Sequence, residues 1–159
     1  MIDRFERFSY AISEISRCWH RIAAEEMEEY GLKGPYALYF TTLYRYPQGI
    51  TAAQLCELCG RDKADVSRAV GRLESMGLVN KENIGKNAYR ALLRLTDQGK
   101  QVAIQINKKA KTAVEWASMG LSAENRAVFY EALELITANL QNLSKDGLPE
   151  YESNGELPL

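Results

Sequence analysis

The chain has 159 residues, of which 46% are hydrophobic and 26% charged, a composition typical of a globular protein that buries a core without disulfides or metal. No apolar run approaches the roughly 18 residues that a membrane span needs. The N-terminal MIDRFERF lacks the apolar segment of a secretory signal, so we expect a cytoplasmic protein. The formal net charge is −1, yet residues 60–94 carry eight Lys or Arg against four Asp or Glu. That stretch is therefore locally +4 and leaves −5 for the remainder.

The first predicted helix runs from about Ile2 to Tyr30 and carries a narrow apolar seam. Its hydrophobic residues recur at alternating spacings of three and four, a pattern typical of coiled-coil packing: Phe8, Ile12, Ile15, Trp19 and Ile22. The acidic run Glu25 to Glu29 lies near the end of this helix, and we interpret it as a solvated face.

A second helix is predicted from Tyr36 to about Tyr46, because Gly31 can end the first helix and Pro35 suits the first position of the next. It holds an unusual density of aromatic residues, most of them with polar tips: Tyr36, Tyr39, Phe40, Tyr44 and Tyr46. Buried Tyr hydroxyls need hydrogen-bond partners. Packing in the core or at an interface and the lining of a ligand pocket both remain open.

Two short helices joined by a tight turn are predicted next. Thr51, with Gln54 three residues on, is typical of a capping box, and Asp62 can cap a second helix. Only residues 59–61 lie between these signals, a length that fits a helix-turn-helix. We interpret Asp65 as the acid of a second capping box, paired with the amide of Asp62.

The second of these helices, about residues 62–77, separates an apolar face from a face of small and cationic residues. The apolar positions are Val66, Ala69, Val70 and Leu73, and the opposite face holds Ala64, Arg68, Gly71 and Ser75, flanked by Ser67 and Arg72. Small side chains let a helix enter a groove, and guanidinium groups reach guanine edges or phosphates. The exposed face therefore predicts contact with duplex DNA through Ser67, Arg68 and Arg72. Arg61, Lys63 and Thr51 are predicted phosphate contacts.

A β-hairpin follows this helix. Leu78 to Glu82 and Tyr89 to Leu95 are predicted as two strands, with Gly85, Lys86 and Asn87 at the tip, and Ile50 is predicted to begin a very short strand beside them.

Two more helices complete the chain, followed by a tail. Thr96 can cap a long helix, whose cluster of Lys108, Lys109 and Lys111 we interpret as a solvated face. Ser122 can open the last helix, which bears a second apolar seam: Phe129, Leu133, Ile136, Leu140 and Leu143. The terminal seams hold more apolar surface than one such domain can cover, so we predict a homodimer. Residues 144–159 lack periodicity and predict an extended or flexible tail.

The order of capped helix, turn, VSRAVGRLESMGLV, basic hairpin and RLTDQGK resembles the MarR family of winged helix-turn-helix transcriptional regulators. The resemblance reaches to about Leu143 and is strongest over Thr51 to Gly99. It implies a mainly α fold with a small β-hairpin wing, in which a DNA-binding domain, residues 35–95, is flanked by a helical dimerisation region, residues 1–34 and 96–143. It also implies a homodimeric repressor that places one recognition helix per half-site in the major groove of a pseudo-palindromic operator, with wing 82–90 on the flanking DNA.

The wing departs from the family in one respect. The family often has an Asp-x-Arg pair there, and the matching positions are Asn87 and Tyr89. Arg90 is adjacent but belongs to the other side of the strand, because side chains alternate with period two. Lys86, Asn87 and Arg90 are therefore the predicted DNA-contacting residues of the wing.

The resemblance further implies a cleft beside the first two helices in which a small aromatic or lipophilic effector binds. Trp19, His20 and Tyr39 are the candidate lining residues. A ligand that changes the spacing of the two recognition helices would change the affinity for DNA.

Cys56 and Cys59 form a Cys-x-x-Cys pair, and Cys18 stands alone. A structural zinc site requires four ligands, but His20 is the single histidine of the sequence and there is no second Cys-x-x-Cys pair. Redox pairs lie at the start of a helix, whereas these fall late in one, so we interpret them as buried small hydrophobes and keep a thiol-based redox sensor as an alternative.

We find no motif in the sequence that indicates catalysis or cofactor binding. The sequence contains no catalytic triad pattern, glycine-rich phosphate loop or cofactor fingerprint, so we expect neither an enzyme nor a cofactor. A winged helix used only for protein contacts is a further alternative, since a fold does not fix a function.

Overall fold

The computed structural model describes residues 3–83 and 91–148. Its elements in chain order are α1 (Arg4–Glu28), α2 (Tyr36–Arg45), β1 (Ile50–Thr51), α3 (Ala52–Cys59), α4 (Lys63–Ser75), β2 (Val79–Asn83), β3 (Ala91–Leu95), α5 (Asp97–Ala117) and α6 (Ala123–Asp146). The chain divides into two compact units, residues 1–112 and 113–159, and each is described by itself. The predicted mainly α fold with a small β-hairpin wing on a helix-turn-helix is confirmed.

The first unit contains a three-stranded antiparallel sheet in the order β1-β3-β2. Ile50 pairs with Leu93, and Val79 pairs with Leu95, so the predicted short strand at Ile50 is confirmed. Alternate residues of β3 are buried, which turns one side of this strand towards the core. The predicted hairpin tip, with Gly85, Lys86 and Asn87, lies outside the described residues.

Helices α3 to α6 begin where their capping residues were predicted. Thr51 and Gln54 form a capping box, in which the Gln54 amide donates to Thr51 Oγ1 at 3.2 Å and the Thr51 amide donates to Gln54 Oε1 at 2.9 Å. Asp62 Oδ1 accepts from the Asp65 amide at 2.8 Å. Side-chain oxygens of Thr96 and Ser122 accept in the same way from Gly99 and Asn125. Because a cap needs only local contacts, these boundaries could be read from the sequence.

The core of the first unit is built from all of its helices and the sheet. Its largest fully buried side chains include Met27, Phe40, Leu43, Leu55 and Leu73. The apolar face predicted for α4 is confirmed, because all four of its members are buried: Val66, Ala69, Val70 and Leu73.

The acidic run in α1 is not a solvated face throughout. Glu26 is only 5% exposed and forms an ion pair with Lys109 of α5, which also reaches Glu29 at 2.8 Å. The interpretation of Glu26 as solvated is therefore wrong, whereas Lys109 remains half-exposed while it pairs with this buried carboxylate. The two segments are far apart in the sequence, so no local pattern could indicate their pairing.

A close approach ties the start of α5 to the start of the wing. A Cβ at Gly99 would overlap the carbonyl oxygen of Leu78. That oxygen also accepts from the Thr96 amide at 3.0 Å, and Thr96 Oγ1 donates to the Gly77 carbonyl at 2.7 Å. Only glycine fits where α5 passes this fixed carbonyl.

The second unit consists mainly of α6, which has no buried residue. Seam residues Phe129, Leu133 and Leu140 are 46%, 37% and 47% exposed. The helix continues to Asp146, three residues into the segment predicted as a tail, and is followed by Gly147. No helix within the described ranges is long and apolar enough to cross a membrane.

We predict that Gly99→Ala lowers the free energy of unfolding by about 1–3 kcal/mol, because the added methyl group forces α5 away from Leu78. Urea denaturation at a fixed protein concentration measures the change. Gly71→Ala is the matched control, since a Cβ there meets nothing within 4 Å. Gly71→Ala should raise stability by about 0.5–1 kcal/mol, and equal losses in the two variants would contradict the steric argument.

Candidate nucleic-acid interface

The exposed face of α4 is cationic and has small side chains near its centre. Ser67, Arg68 and Arg72 are all exposed, and the Arg68 side chain retains 72% of its accessible surface. A Cβ at Gly71 would meet no atom of the described residues within 4 Å, so none of residues 3–83 and 91–148 covers this part of the helix. Within the described residues, the face predicted for DNA contact is therefore exposed at Ser67, Arg68, Gly71 and Arg72.

The turn before α4 fixes the direction of the helix. Gly60 has φ +58°, a left-handed conformation that favours glycine, and it ends α3. The Arg61 amide donates to the Cys56 carbonyl at 3.0 Å, which leaves the Arg61 side chain exposed at the turn. α4 thus leaves this tight turn with its N-terminal amides beside Arg61 and Lys63, a combination that favours a bound anion.

A buried tyrosine supports the exposed face from behind. Tyr39 of α2 is 3% exposed, and its hydroxyl donates to Asp65 Oδ2 at 3.3 Å. Asp65 Oδ1 in turn lies 3.6 Å from a guanidinium nitrogen of Arg68. Burial, followed by the charge of Asp65, raises the pKa of Tyr39 to about 12, so the phenol keeps its proton at neutral pH.

This contact changes the interpretation of Asp65. The sequence indicated a capping-box acid bonded to the amide of Asp62, but the Asp65 carboxylate instead joins Tyr39 to Arg68. Asp62 still caps α4, through the Asp65 amide. The contact was missed because Tyr39 and Asp65 are 26 residues apart.

A cleft of about 470 Å³ opens beside this network, and most of its charged lining residues are cations. Arg61, Arg68 and Arg72 line it together with Lys33 from the loop between α1 and α2, and Asp65 is the acidic residue among the described lining residues. Lys33 was not predicted as a site residue, because a single cation between two glycines has no periodic signal. Its position extends the cationic surface beyond the helix-turn-helix.

The other residues predicted to contact DNA differ in their exposure and in their hydrogen bonds. Lys63 is exposed in the first turn of α4. The Thr51 hydroxyl is hydrogen-bonded to Gln54 within the capping box. Lys86, Asn87 and Arg90 lie outside the described residues. Arg94, which contributes to the basic count, is engaged within the fold: it pairs with Glu82 at 2.8 Å and donates to the Gln48 carbonyl at 2.9 Å.

A second cleft, of about 450 Å³, lies between α1, α2 and α5. Trp19 and His20 line it, as predicted, with Leu38 and Tyr44 among its apolar and aromatic walls. Tyr39 lines the cationic cleft instead, so the structure does not bring the three candidate effector residues together.

The polar side of this second cleft holds Glu26 and Lys109. Hydrogen bonds to Glu26 and Glu29 raise the pKa of Lys109, which therefore stays protonated and neutralises the buried carboxylate. Arg45 and Arg61 also line the cleft. The cleft thus has aromatic walls, and its cationic lining residues outnumber its acidic ones.

The chain is similar in sequence to known transcriptional regulators. Residues 30–86 match the sequence model of the MarR family. The uncharacterized HTH-type transcriptional regulator YybA of Bacillus subtilis (strain 168) is 25% identical over 130 residues, which cover 82% of this chain and 86% of that protein.

Solved structures are similar over most of the chain. A regulator from Listeria monocytogenes, assigned to the MarR family and solved in complex with a 26mer DNA, has a TM-score of 0.78 and 24% identity, with 95% of this chain and 99% of that chain covered. The transcriptional regulator SlyA has a TM-score of 0.76 and 25% identity, with 84% and 93% covered.

The three cysteines differ in burial, and none forms a disulfide. Cys59 is buried, and its thiol donates to Thr42 Oγ1 at 3.5 Å, whereas Cys56 is partly buried and Cys18 is exposed in the single chain. Burial raises the pKa of the Cys59 thiol, which disfavours the thiolate that reacts with oxidants. No cluster of metal-ligating side chains occurs within residues 3–83 and 91–148.

We predict that Cys59 is alkylated by iodoacetamide at least tenfold more slowly than Cys56 in the native protein at about pH 8, because its thiol is buried and its pKa is raised. Peptide mass spectrometry over a time course measures both rates. The protein unfolded in urea is the control, in which the two rates should converge. Fast native labelling of Cys59, or a disulfide between Cys56 and Cys59 after peroxide treatment, would support the redox alternative.

Proposed function

We propose that this chain, whose residues 30–86 match the MarR family model, is a member of that family of winged helix-turn-helix transcriptional regulators and acts as a homodimeric, ligand-responsive repressor of transcription. Each subunit places α4 in the major groove of one half of a pseudo-palindromic operator, and wing 82–90 contacts the flanking DNA. The observation that carries this proposal is the open cationic face of α4, with Arg68 at its centre.

Charge distribution supports DNA as the partner despite a net charge of −1. Residues 60–94 carry +4, and Lys33 adds a further cation beside Arg61, Arg68 and Arg72. Contacts from these cations to phosphates release counterions, so binding should weaken steeply as salt rises. The DNA in the solved complex of the Listeria monocytogenes regulator supports the same class of partner.

Exposed apolar surface supports the dimer. The seam of α1 leaves Phe8, Ile12 and Ile15 41%, 40% and 61% exposed, and α6 has no buried residue. Monomeric proteins rarely expose contiguous apolar patches of this kind. A two-fold dimer covers such seams and presents two recognition helices to half-sites about 34–36 Å apart.

The cleft between α1, α2 and α5 supports regulation by a small aromatic or lipophilic effector. Its volume is within the usual range for ligand sites, and Trp19, Leu38 and Tyr44 provide apolar and aromatic walls. α2 contributes both to this cleft and, through Tyr39, to the support of α4. An effector that changes the position of α2 therefore has a physical route to the recognition helix.

We predict that Arg68→Ala weakens binding to the specific operator by about 10-fold to 100-fold, the range for loss of one good base contact. The operator is first obtained by selection from random duplex DNA, which also gives the half-site spacing. Fluorescence anisotropy at several salt concentrations then measures affinity and its salt dependence.

Arg17→Ala is the matched control, because Arg17 lies on α1 and pairs with Glu14 at 2.6 Å. It should leave DNA affinity unchanged. Operator binding by Arg68→Ala that equals that of the unmodified protein would count against the assignment of α4 as the reader. Failure of the unmodified protein to retain duplex DNA at low salt would favour a protein-interaction module.

We predict that Ile15→Glu converts the dimer to monomers and reduces operator affinity by at least tenfold, because it places a charge in the apolar seam of α1. Sedimentation equilibrium measures the assembly state. Ser13→Glu, at an exposed position of the same helix outside the seam, is the control and should remain dimeric. A stable dimer of Ile15→Glu would exclude this seam from the interface.

A further inference from the structure

Tyr39 has a polar contact that core packing does not require. Its ring is buried in α2 next to Phe40, which fills the same core without a hydroxyl. The Tyr39 hydroxyl lies at the edge of the core and donates to Asp65, whose side chain is 38% exposed in the cationic cleft. A buried ring thus holds an exposed carboxylate from below.

Asp65 transmits this restraint to the recognition surface. It lies three residues before Arg68 on α4, and its second oxygen is 3.6 Å from the guanidinium. Its amide is also bonded to Asp62, so the start of the side chain is fixed by the cap. An exposed ion pair of this kind is weak by itself. Anchoring one partner through a charge-assisted hydrogen bond reduces the freedom that the pair must lose.

We propose that Tyr39 is a positioning residue for DNA recognition, which through Asp65 holds the guanidinium of Arg68 in the orientation that reads a base edge. This inference rests on the proposed function and assigns a specificity role to a residue that does not contact DNA itself. The carboxylate acts in two ways. It orients Arg68, and its negative charge disfavours the alternative in which Arg68 contacts a nearby phosphate irrespective of sequence.

The consequence concerns selectivity more than affinity. Contacts to phosphates supply binding to any duplex, whereas oriented contacts to base edges discriminate between sequences. Release of Asp65 leaves the charge of the surface unchanged but lets Arg68 sample more orientations. The ratio of operator affinity to scrambled-duplex affinity should therefore fall while the salt dependence stays the same.

The test measures this ratio by fluorescence anisotropy with the selected operator and a scrambled duplex of equal length. Tyr39→Phe should lower the ratio about fivefold, the effect expected from the loss of one hydrogen bond. Asp65→Asn should lower it further and tighten binding to the scrambled duplex, because it removes a negative charge. Tyr36→Phe is the matched control: its ring packs edge-on against Tyr39 at 6.0 Å, and its hydroxyl makes no hydrogen bond among the described residues.

A double-mutant cycle distinguishes positioning from a general structural effect. If Tyr39 acts through Arg68, Tyr39→Phe should have no further effect on the ratio in the Arg68→Ala background. Multiplicative losses in the double variant, or an unchanged ratio in Tyr39→Phe, would overturn the inference. Urea denaturation of every variant identifies losses of DNA selectivity that come from instability. If Tyr39→Phe is unstable, Asp65→Asn still tests the inference, because the Asp65 side chain lies outside the core.

Failure of the inference can be told apart from failure of the proposed function. An Arg68→Ala variant that binds the operator as tightly as the unmodified protein removes both. An Arg68→Ala defect without any effect of Tyr39→Phe removes only the positioning role and leaves α4 as the reader.

Discussion

The burial of one face of α4 is the constraint on which the interface depends. Val66, Ala69, Val70 and Leu73 enter the core shared by the helices and the sheet, and each is at most 6% exposed. Since a helix has only one rotation about its axis that buries these four residues, the same packing decides that Ser67, Arg68 and Arg72 face outward. Core packing and the direction of the cationic face therefore have the same cause, and a change in the core that rotates α4 would also rotate this face.

Two groups of cations occur in this protein, those paired with acids within the fold and those on the surface of the cationic cleft. Some cations are neutralised within the fold, as Arg94 is by Glu82 and Lys109 is by Glu26 and Glu29. Others remain on the surface of the cationic cleft, where Asp65 is the acidic neighbour among the described lining residues. A count of charged residues cannot separate these groups. The distinction matters because only cations without a strong internal partner are available to phosphates at low cost.

Local features of the fold were predictable from the sequence, and contacts between distant segments were not. The caps at Thr51, Asp62, Thr96 and Ser122 depend on residues within one helical turn, so residue type and spacing identify them. The Tyr39–Asp65 hydrogen bond and the Glu26–Lys109 ion pair depend on how helices pack, which periodicity does not encode. The same limit explains why Trp19 of α1 and Tyr39 of α2 were expected in one cleft, although the packed helices place them in different ones.

The exposure of α6 has a consequence for how the stability of this helix would depend on protein concentration in the proposed dimer. A helix isolated in water is only marginally stable, and α6 has 24 residues without one that is buried. The first unit, by contrast, contains its own sheet and core. If the proposed dimer covers α6, the stability of this helix gains a contribution from association, and the stability of the sheet-containing core does not share it to the same extent. The stability of α6 should then rise with protein concentration through mass action.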